Sequence, residues 1–272
     1  MKLLTKVSIT LVASLLGVSN VGHADDIPCS EGGVCQVGDV GPGGGIVFYV
    51  DSKLNSWGRY IEVAPNGWNR GRPDPSVRPY CYEKTETLDY LPITSPTIGD
   101  GKSNTDRLIK VCPNGAAATA RAYQGGGQKN WSLPSKEEFE EFYYEAPGLL
   151  LNEGNPWYWT STNDEYGRNY AFYEPREKFD GSFSRTNDAH VRPVRHFMSN
   201  SDKQFLADQK IASEKKYKNC SALNSVFPGG IASKSNSKNK GGKTYVAPYV
   251  STKGYSLNKG LDRDKDGIVC ER

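Results

Sequence analysis

Residue types that usually carry metal or redox chemistry are scarce: the 272 residues include three histidines, two methionines and six cysteines. No pair of cysteines has Cys-x-x-Cys spacing and no histidine clusters with a cysteine, which argues against a thiolate metal site or a catalytic thiol. His190 and His196 lack a third ligand and a partnered nucleophile, so we expect structural or surface roles for them. The sequence therefore does not indicate a zinc enzyme or an enzyme with a catalytic thiol.

Long apolar runs are also missing, apart from residues 7–18, which follow Lys2 and Lys6. Such a run spans roughly 18 Å at about 1.5 Å per residue, less than the ~30 Å hydrocarbon core of a bilayer. Small residues follow at Gly22 and Ala24, so we predict that residues 1–24 are a secretory signal peptide. The alternative is a membrane anchor. Cleavage would leave a secreted, extracellular or periplasmic protein without a transmembrane segment.

The cysteines are even in number and all lie beyond the predicted signal, so export to an oxidising compartment predicts three disulfides. They are Cys29, Cys35, Cys81, Cys112, Cys220 and Cys270. Six cysteines allow fifteen pairings, and sequence alone does not choose among them. Their order and the domain boundaries favour pairing each cysteine with its neighbour along the chain.

The composition changes near residues 198–201, where an aromatic, glycine-rich sequence gives way to a lysine-rich one. We predict an α+β fold with a ligand-binding domain at 25–198, a helical, basic linker at 199–216 and a small module at 217–272. Residues 203–260 contain eleven lysines and two acids, a formal charge of +9. This run either attracts polyanions or serves as a solubilising linker. Residues 229–243, mostly Gly, Ser, Asn and Lys, are predicted to be mobile.

Local patterns predict the elements of the first domain. A hairpin is expected from residues 46–50 and 60–64, with the glycines of 41–45 as turn residues rather than a phosphate loop, because no Gly-Lys-Ser/Thr follows. Ser135 and Glu138 form a predicted capping box, and the nearby glutamates read as a solvated face rather than a glycosidase pair. Further elements are predicted at 116–123 (helix), 157–162, 169–173 and 189–197 (strands), with Pro193 marking an edge or bulge.

Three short blocks in order resemble a bacterial C-type-lectin-like family that includes the C-terminal domain of the Legionella collagen-like adhesin. They are Asn-Trp-Ser-Leu-Pro-Ser at 130–135, Tyr-Trp-Thr-Ser-Thr at 158–162 and Val-Arg-Pro-Val-Arg at 191–195. The resemblance covers roughly residues 38–197 and implies a mixed domain with hairpins and two helices that presents loops to a ligand. Ser132 replaces the usual arginine, and no Glu-Pro-Asn or Gln-Pro-Asp triplet occurs, so sugar binding through a lectin-type calcium ion is not expected.

The same superfamily includes formylglycine-generating and sulfatase-modifying enzymes, but the residues present do not indicate catalysis, and we predict no enzyme. Basic side chains in a turn-rich segment are the candidates for binding sulfate or carboxylate groups, although solvated loops would look the same. These candidates are Arg168, Arg176, Lys178 and Arg185.

The last residues carry the most specific pattern, Asp-x-Asp-x-Asp-Gly-x-x-Cys-Glu at 262–271. Carboxylates at every second position can turn their oxygens toward one point, while Gly267 permits a bend, Ile268 offers its carbonyl and Glu271 supplies further oxygens. Hard oxygen ligands of this kind bind Ca²⁺. An EF-hand would place the glutamate two residues later and add a helix, so the pattern is not an EF-hand.

With the Tyr-Lys-Asn-Cys-Ser-Ala-Leu sequence at 217–223, this pattern is similar to the excalibur calcium-binding domain. The resemblance implies that Asp262, Asp264, Asp266 and Glu271 are calcium ligands and that Cys220 pairs with Cys270. A disulfide-stapled module of this size would tolerate a small core.

The sequence therefore predicts a secreted or periplasmic, calcium-binding, adhesin-like protein that binds a glycan, a sulfated polyanion or a cell-envelope polymer without catalysis. No nucleic-acid partner is predicted, and the oligomeric state is left open. One alternative is a secreted enzyme of the sulfatase-modifying or cell-wall-modifying type. Another is a structural component of a surface assembly.

Overall fold

A computed structural model describes residues 27–78, 94–146, 148, 157–163, 169–173, 178–180, 187–241 and 245–272. The predicted signal peptide and Cys81 lie outside these residues. Arg168, Arg176 and Arg185 lie outside them as well.

Strands and helices come in runs along most of the described residues. The α-helices are α1 (Gly101–Val111), α2 (Ala116–Ala122), α3 (Lys136–Glu145), α4 (Asn200–Ser213), α5 (Cys220–Asn224) and α6 (Thr252–Asn258). The strands are β1 (Ile46–Asn55), β2 (Gly58–Val63), β3 (Ser76–Val77), β4 (Trp157–Asn163), β5 (Asn169–Tyr173), β6 (Lys178–Asp180), β7 (Ala189–His190), β8 (Val194–Phe197), β9 (Ile231–Ala232), β10 (Tyr249–Val250) and β11 (Ile268–Val269).

The predicted hairpin is present as β1 and β2, which pair antiparallel with Ile46 opposite Val63. β8 adds antiparallel to β2, with Tyr60 opposite Phe197, and completes a three-stranded sheet. A single bridge between Ser132 and Val194 extends the far edge of β8. The chain ahead of α3 is thereby fixed to this sheet.

The prediction of one strand over residues 189–197 is wrong. β7 joins a five-stranded sheet in the order β3-β7-β4-β5-β6, whereas β8 joins β2 in the other sheet. Pro193 has no N–H to donate to a ladder, and its carbonyl accepts a hydrogen bond from the Ala64 N–H (2.9 Å). The chain therefore switches sheets at the proline, and His190 and His196 lie in different strands.

Two apolar clusters hold the helices against the sheets. Leu108 of α1 and Ala116 of α2 pack in one cluster with Trp159 of β4. Phe139 and Phe142 of α3 pack in the other, among side chains of both sheets. The predicted capping box of α3 is confirmed: Glu138 N–H donates to Ser135 Oγ (3.2 Å), and Ser135 N–H donates to Glu138 Oε2 (2.9 Å).

Buried carboxylates in this first region each contact a basic side chain. Glu62 accepts from Arg195 Nε (2.7 Å), and Asp74 accepts from Arg192 Nε (2.7 Å). Two of the predicted turn glycines also bind Glu62: the backbone N–H groups of Gly43 and Gly45 donate hydrogen bonds to its carboxylate.

Glu138 was expected on a solvated face, but it is fully buried and lies 2.8 Å from His196 Nε2. Burial alone would raise the pKa of Glu138, but His196 and the N–H groups of Ser135 and Gly101 outweigh it and lower the pKa. The capping-box pattern predicted the local hydrogen bonds between Ser135 and Glu138. It could not predict the contact of Glu138 with His196, which lies 58 residues away.

The C-terminal region builds its own small core from Leu223, Phe227, Ile231 and Val269. β9 is the central strand of the sheet β10-β9-β11. The prediction that residues 229–243 are mobile is therefore wrong for Ile231 and Ala232, which are buried. Ile231 provides the apolar anchor that the surrounding Gly, Ser and Lys residues lack.

The helix α4 connects the two regions and begins with a capping box between Ser199 and Asp202. Asp202 also accepts from Arg59 Nε of β2 (3.0 Å). A helical linker was predicted at residues 199–216, and the helix spans Asn200–Ser213 of it. Among the described residues, no helix combines the length and the apolar character needed to span a bilayer.

These elements confirm a mixed α+β protein with a disulfide in its C-terminal region. The C-type-lectin-like topology and the domain boundaries stay predictions.

Candidate metal centre

Three aspartates of the acidic loop, which is residues 262–271, converge. Asp262, Asp264 and Asp266 each offer a carboxylate oxygen, and these oxygens lie within 4.8 Å of one another. Gly267 has φ +91°, a left-handed conformation that side chains rarely adopt, so it makes the bend that turns the carboxylates inward. The loop thus has the shape expected from its alternating carboxylates.

Asp262 is the most firmly held of the three. Its Oδ1 accepts from the Lys265 N–H (2.8 Å), and its Oδ2 accepts from the Tyr255 hydroxyl (2.7 Å) and the Gly267 N–H (3.2 Å). Burial opposes ionisation, but these donors outweigh it and lower the pKa of Asp262. The same hydrogen bond raises the pKa of Tyr255 to about 12. Asp262 is therefore an oriented carboxylate with restricted rotation.

Ile268 and Glu271 adjoin the aspartates. The Ile268 N–H donates to Asp266 Oδ1 (2.8 Å), and the preceding residue, Gly267, accepts from Ser233 through its carbonyl (2.8 Å). Because the N–H and C=O of one strand residue point to the same side, the Ile268 carbonyl faces the acidic loop. Burial raises the pKa of Glu271, and the three aspartates raise it further.

A disulfide fixes the end of the loop. Cys270 is bonded to Cys220 at the start of α5, with Cα atoms 5.2 Å apart. Both cysteines line an open cleft of about 740 Å³, together with Asp264 and Glu271. The covalent link holds the last carboxylate next to the module's core.

The residues present fit a hard divalent cation. The side chains of the acidic loop that could ligate a metal ion are all carboxylates. Within the described residues, none of these four carboxylates has an ion-pair partner. A Cβ atom placed on Gly241 would lie 3.5 Å from Asp264 Oδ2 and 3.9 Å from Glu271 Oε1. Because residue 241 is a glycine, the space beside these two carboxylates stays open, and a larger side chain would begin to fill it. Asp262, Asp264, Asp266, the Ile268 carbonyl and Glu271 are the groups that would hold the ion.

The comparisons decide which ion this is. Residues 217–271 match the Excalibur calcium-binding domain. The cofactor is Ca²⁺. The chain is also 60% identical over 58 residues to the uncharacterized protein YhjA of Bacillus subtilis (strain 168). That match covers 21% of this chain and 65% of YhjA, slightly less than two thirds of the relative. No solved structure matches the chain.

The Excalibur domain is an extracellular module, and the disulfides fit an oxidising compartment. Cys29 is bonded to Cys35, as the order of the cysteines favoured. Cys112 is also disulfide-bonded, but Cys81 lies outside the described residues, so their pairing stays a prediction.

The described structure does not test the predicted ligand-binding residues of the first domain. Lys178 begins β6, and its arginine companions lie outside the described residues. Conversely, sequence reasoning missed Tyr255, Asn239 and Lys240, which adjoin the acidic loop. Tyr255 lies in a polar helix, and the other two lie in the lysine-rich insert, where no periodic pattern distinguishes one residue from the next.

Proposed function

We propose that this is a secreted, non-catalytic binding protein whose calcium-loaded C-terminal region holds an anionic polymer of the cell envelope or a sulfated glycan. The observation that carries the proposal is the juxtaposition of unpaired carboxylates with exposed lysines. The acidic loop lacks a cationic partner among the described residues, while Lys238 and Lys240 of the adjacent insert are exposed.

Calcium has a structural role in this proposal. The three converging aspartates and the neighbouring Glu271 repel one another, and a divalent ion removes that repulsion and links the loop to the disulfide. Weak sites of extracellular modules bind Ca²⁺ at about 10⁻⁴–10⁻³ M, so millimolar extracellular calcium fills them. A signalling role would require a changing concentration around the site.

The lysines supply the attraction for a polyanion. All the described lysines between residues 203 and 259 are exposed, and among them only Lys253 forms an ion pair, with Glu214 (2.6 Å). Unpaired exposed ammonium groups bind polyanions by releasing counterions. The charge run therefore supports a binding surface over a mere linker.

The first domain is proposed to bind the glycan part of the ligand through loops. Its support is the resemblance of residues 38–197 to the C-type-lectin-like family and the predicted basic cluster of Arg168, Arg176, Lys178 and Arg185. We further propose that this domain is not an enzyme. The ring Nδ1 of His190 lies 2.9 Å from the Asp74 carbonyl, and His196 pairs with Glu138, so both histidines already have partners inside the protein.

Binding to immobilised heparin and to a panel of sulfated and cell-wall glycans, with 2 mM (about the extracellular level) calcium or with chelator, tests the proposal. Lys234, Lys238 and Lys240 are changed together to glutamine. The matched control changes Lys53, Lys110 and Lys129, three exposed lysines of the first domain. We expect saturable, calcium-strengthened binding without turnover, and a salt slope that falls by about one per contacting lysine only in the first variant.

Three results would contradict the proposal. Equal loss in the control variant would place the polyanion surface on the first domain. Chemical turnover of a bound glycan would favour the enzyme alternative. Absence of any soluble ligand, with recovery of the native protein in a large complex, would favour a structural part of a surface assembly.

A further inference from the structure

The lysine-rich insert, residues 233–241 of the described chain, is attached to the acidic loop at both ends. At its start the Ser233 N–H donates to the Gly267 carbonyl (2.8 Å). Near its end the Lys240 N–H donates to Asp266 Oδ2 (2.8 Å). The insert therefore closes over the loop rather than leading away from it.

Asn239 is an insert residue whose side-chain oxygen lies near two of the carboxylates. A Cβ atom placed on Gly241 would lie 3.2 Å from Asn239 Oδ1, 3.5 Å from Asp264 Oδ2 and 3.9 Å from Glu271 Oε1. The three oxygens thus adjoin the same space beside Gly241. Asn239 is also half-buried, whereas its neighbours Lys238 and Lys240 are exposed.

The coordination chemistry leaves room for this oxygen. Calcium takes about six to eight oxygens, and amide carbonyls of asparagine are ordinary ligands. The acidic loop offers three aspartates, one backbone carbonyl and Glu271, which supply five or six oxygens according to how the glutamate binds. Both oxygens of Asp266 already accept backbone hydrogen bonds, from Ile268 and Lys240, which restricts that carboxylate to one metal contact. A site of seven or eight oxygens therefore keeps at least one position for a ligand from outside the loop or for water, and a six-coordinate site keeps one when Glu271 binds through a single oxygen.

We propose that the side-chain oxygen of Asn239 is a calcium ligand and that the insert is a clasp which calcium holds closed. Asn239 Oδ1 accepts from the Gly241 N–H (2.5 Å), and a carbonyl oxygen has two lone pairs, so this bond and a metal contact are compatible. The clasp rests on the proposed calcium occupancy of the acidic loop. It adds that calcium binding orders Lys238 and Lys240, the residues that meet the polyanion.

Terbium, which replaces calcium in oxygen sites, tests the ligand directly. Its luminescence lifetimes in H₂O and D₂O give the number of water molecules on the bound ion. In the full-length, oxidised protein we expect Asn239→Ala to gain about one water, since a lost protein oxygen is replaced by solvent. The matched control is Asn236→Ala, three residues earlier in the insert and exposed, which we expect to match the wild type.

A calcium titration of the same variants supplies the second measurement. We expect Asn239→Ala to bind calcium at least about tenfold more weakly, Asn239→Asp to bind at least as tightly as the wild type, and Asn236→Ala to be unchanged. In hydrogen exchange, calcium should protect the amides of Lys240 and Gly241 in the wild type and not in Asn239→Ala.

The outcomes separate the clasp from the site itself. An unchanged water count and affinity in Asn239→Ala, with the wild type binding normally, would overturn the clasp and leave the acidic loop intact as the calcium site. Failure of the wild type to bind either ion would instead overturn the proposed occupancy. Weaker binding with an unchanged water count would show that Asn239 only positions the loop, which also contradicts its role as a ligand.

Discussion

Residues 27–198 and residues 217–272 both contain buried or partly buried carboxylates, but the two regions compensate them differently. In the first region, Glu62, Asp74 and Glu138 each contact a basic side chain that lies more than 50 residues away. In the second, Asp262, Asp264 and Asp266 face one another, and Glu271 lies beside them.

The difference indicates what each set of charges is for. A carboxylate with a buried cationic partner and N–H donors is part of the fold, and removal of its partner leaves an uncompensated charge. Carboxylates that converge without a cationic side chain are suited to bind a cation from solution. The contrast therefore distinguishes acids that belong to the fold from the proposed metal ligands, and the following substitutions test it.

The largest expected effect is in the first region. Arg192→Met leaves Asp74 buried without its cation, and both side chains are only 2% exposed. We expect the free energy of unfolding of this region to fall by about 3–5 kcal/mol, measured by urea denaturation. Arg72→Met, an exposed arginine of the preceding turn, should change it by less than about 0.5 kcal/mol. Adding Asp74→Asn to Arg192→Met should recover part of the loss; no recovery would mean that the charge pair is not the cause.

A similar loss is expected in the second region from a covalent rather than an ionic change. The Cys220–Cys270 bridge spans 50 residues of sequence. Replacing both cysteines by serine should cost about 4 kcal/mol on the loop-entropy description and weaken calcium binding. Replacing Cys29 and Cys35, six residues apart, should leave calcium binding unchanged, as measured by titration calorimetry. A calcium affinity unaffected by loss of the longer bridge would show that the loop is positioned without it.

We expect Asp264→Asn to lower the stability of the protein in calcium and to raise it in chelator. At calcium a hundredfold above the dissociation constant, the wild type gains about 2.7 kcal/mol from binding, and the variant should lose most of this. In chelator the variant should be more stable than the wild type by up to about 1 kcal/mol, because one of the facing negative charges is gone. Thermal melting in both conditions checks this. Asp208→Asn, on the exposed face of α4, is the control and should show no reversal.

The smallest effect is expected from Tyr255→Phe, which removes the hydroxyl that donates to Asp262. The loss should be about 1 kcal/mol in chelator at neutral pH. Since the pKa of Asp262 is lowered in the folded protein, its stabilisation is present above the ordinary value of 3.8 and disappears as pH falls through the lowered pKa. The difference between wild type and variant should therefore shrink below pH 3.8, and a constant difference in denaturation across this range would contradict the assignment.

The acidic loop could be predicted because its geometry is local. Alternating carboxylates, a glycine at residue 267 and a cysteine before the final glutamate determine the convergence within ten residues of sequence. The hairpin of β1 and β2 and the capping box of α3 were predictable for the same reason. In each case the interacting residues are neighbours along the chain, so their spacing carries the information.

The remainder depends on contacts between distant residues. Helix α1 is mostly polar, and only Leu108 and the partly buried Ile109 pack in the core cluster, so no apolar period marked it. Pro193 predicted an irregularity, but which sheet each flanking strand joins depends on pairing with β2, β3 and β4, which are all distant in sequence. Asn239 lies among Ser, Lys and Asn residues of similar character, and only the folded insert distinguishes it.

The most direct test of the account is a calorimetric titration of the correctly oxidised, full-length protein with calcium, paired with melting curves in calcium and in chelator. We predict saturable heat for one site and a melting temperature that rises with calcium, with most of both effects lost in Asp264→Asn. No heat of binding and identical melting curves in the two conditions would contradict the assignment of the acidic loop as a calcium site.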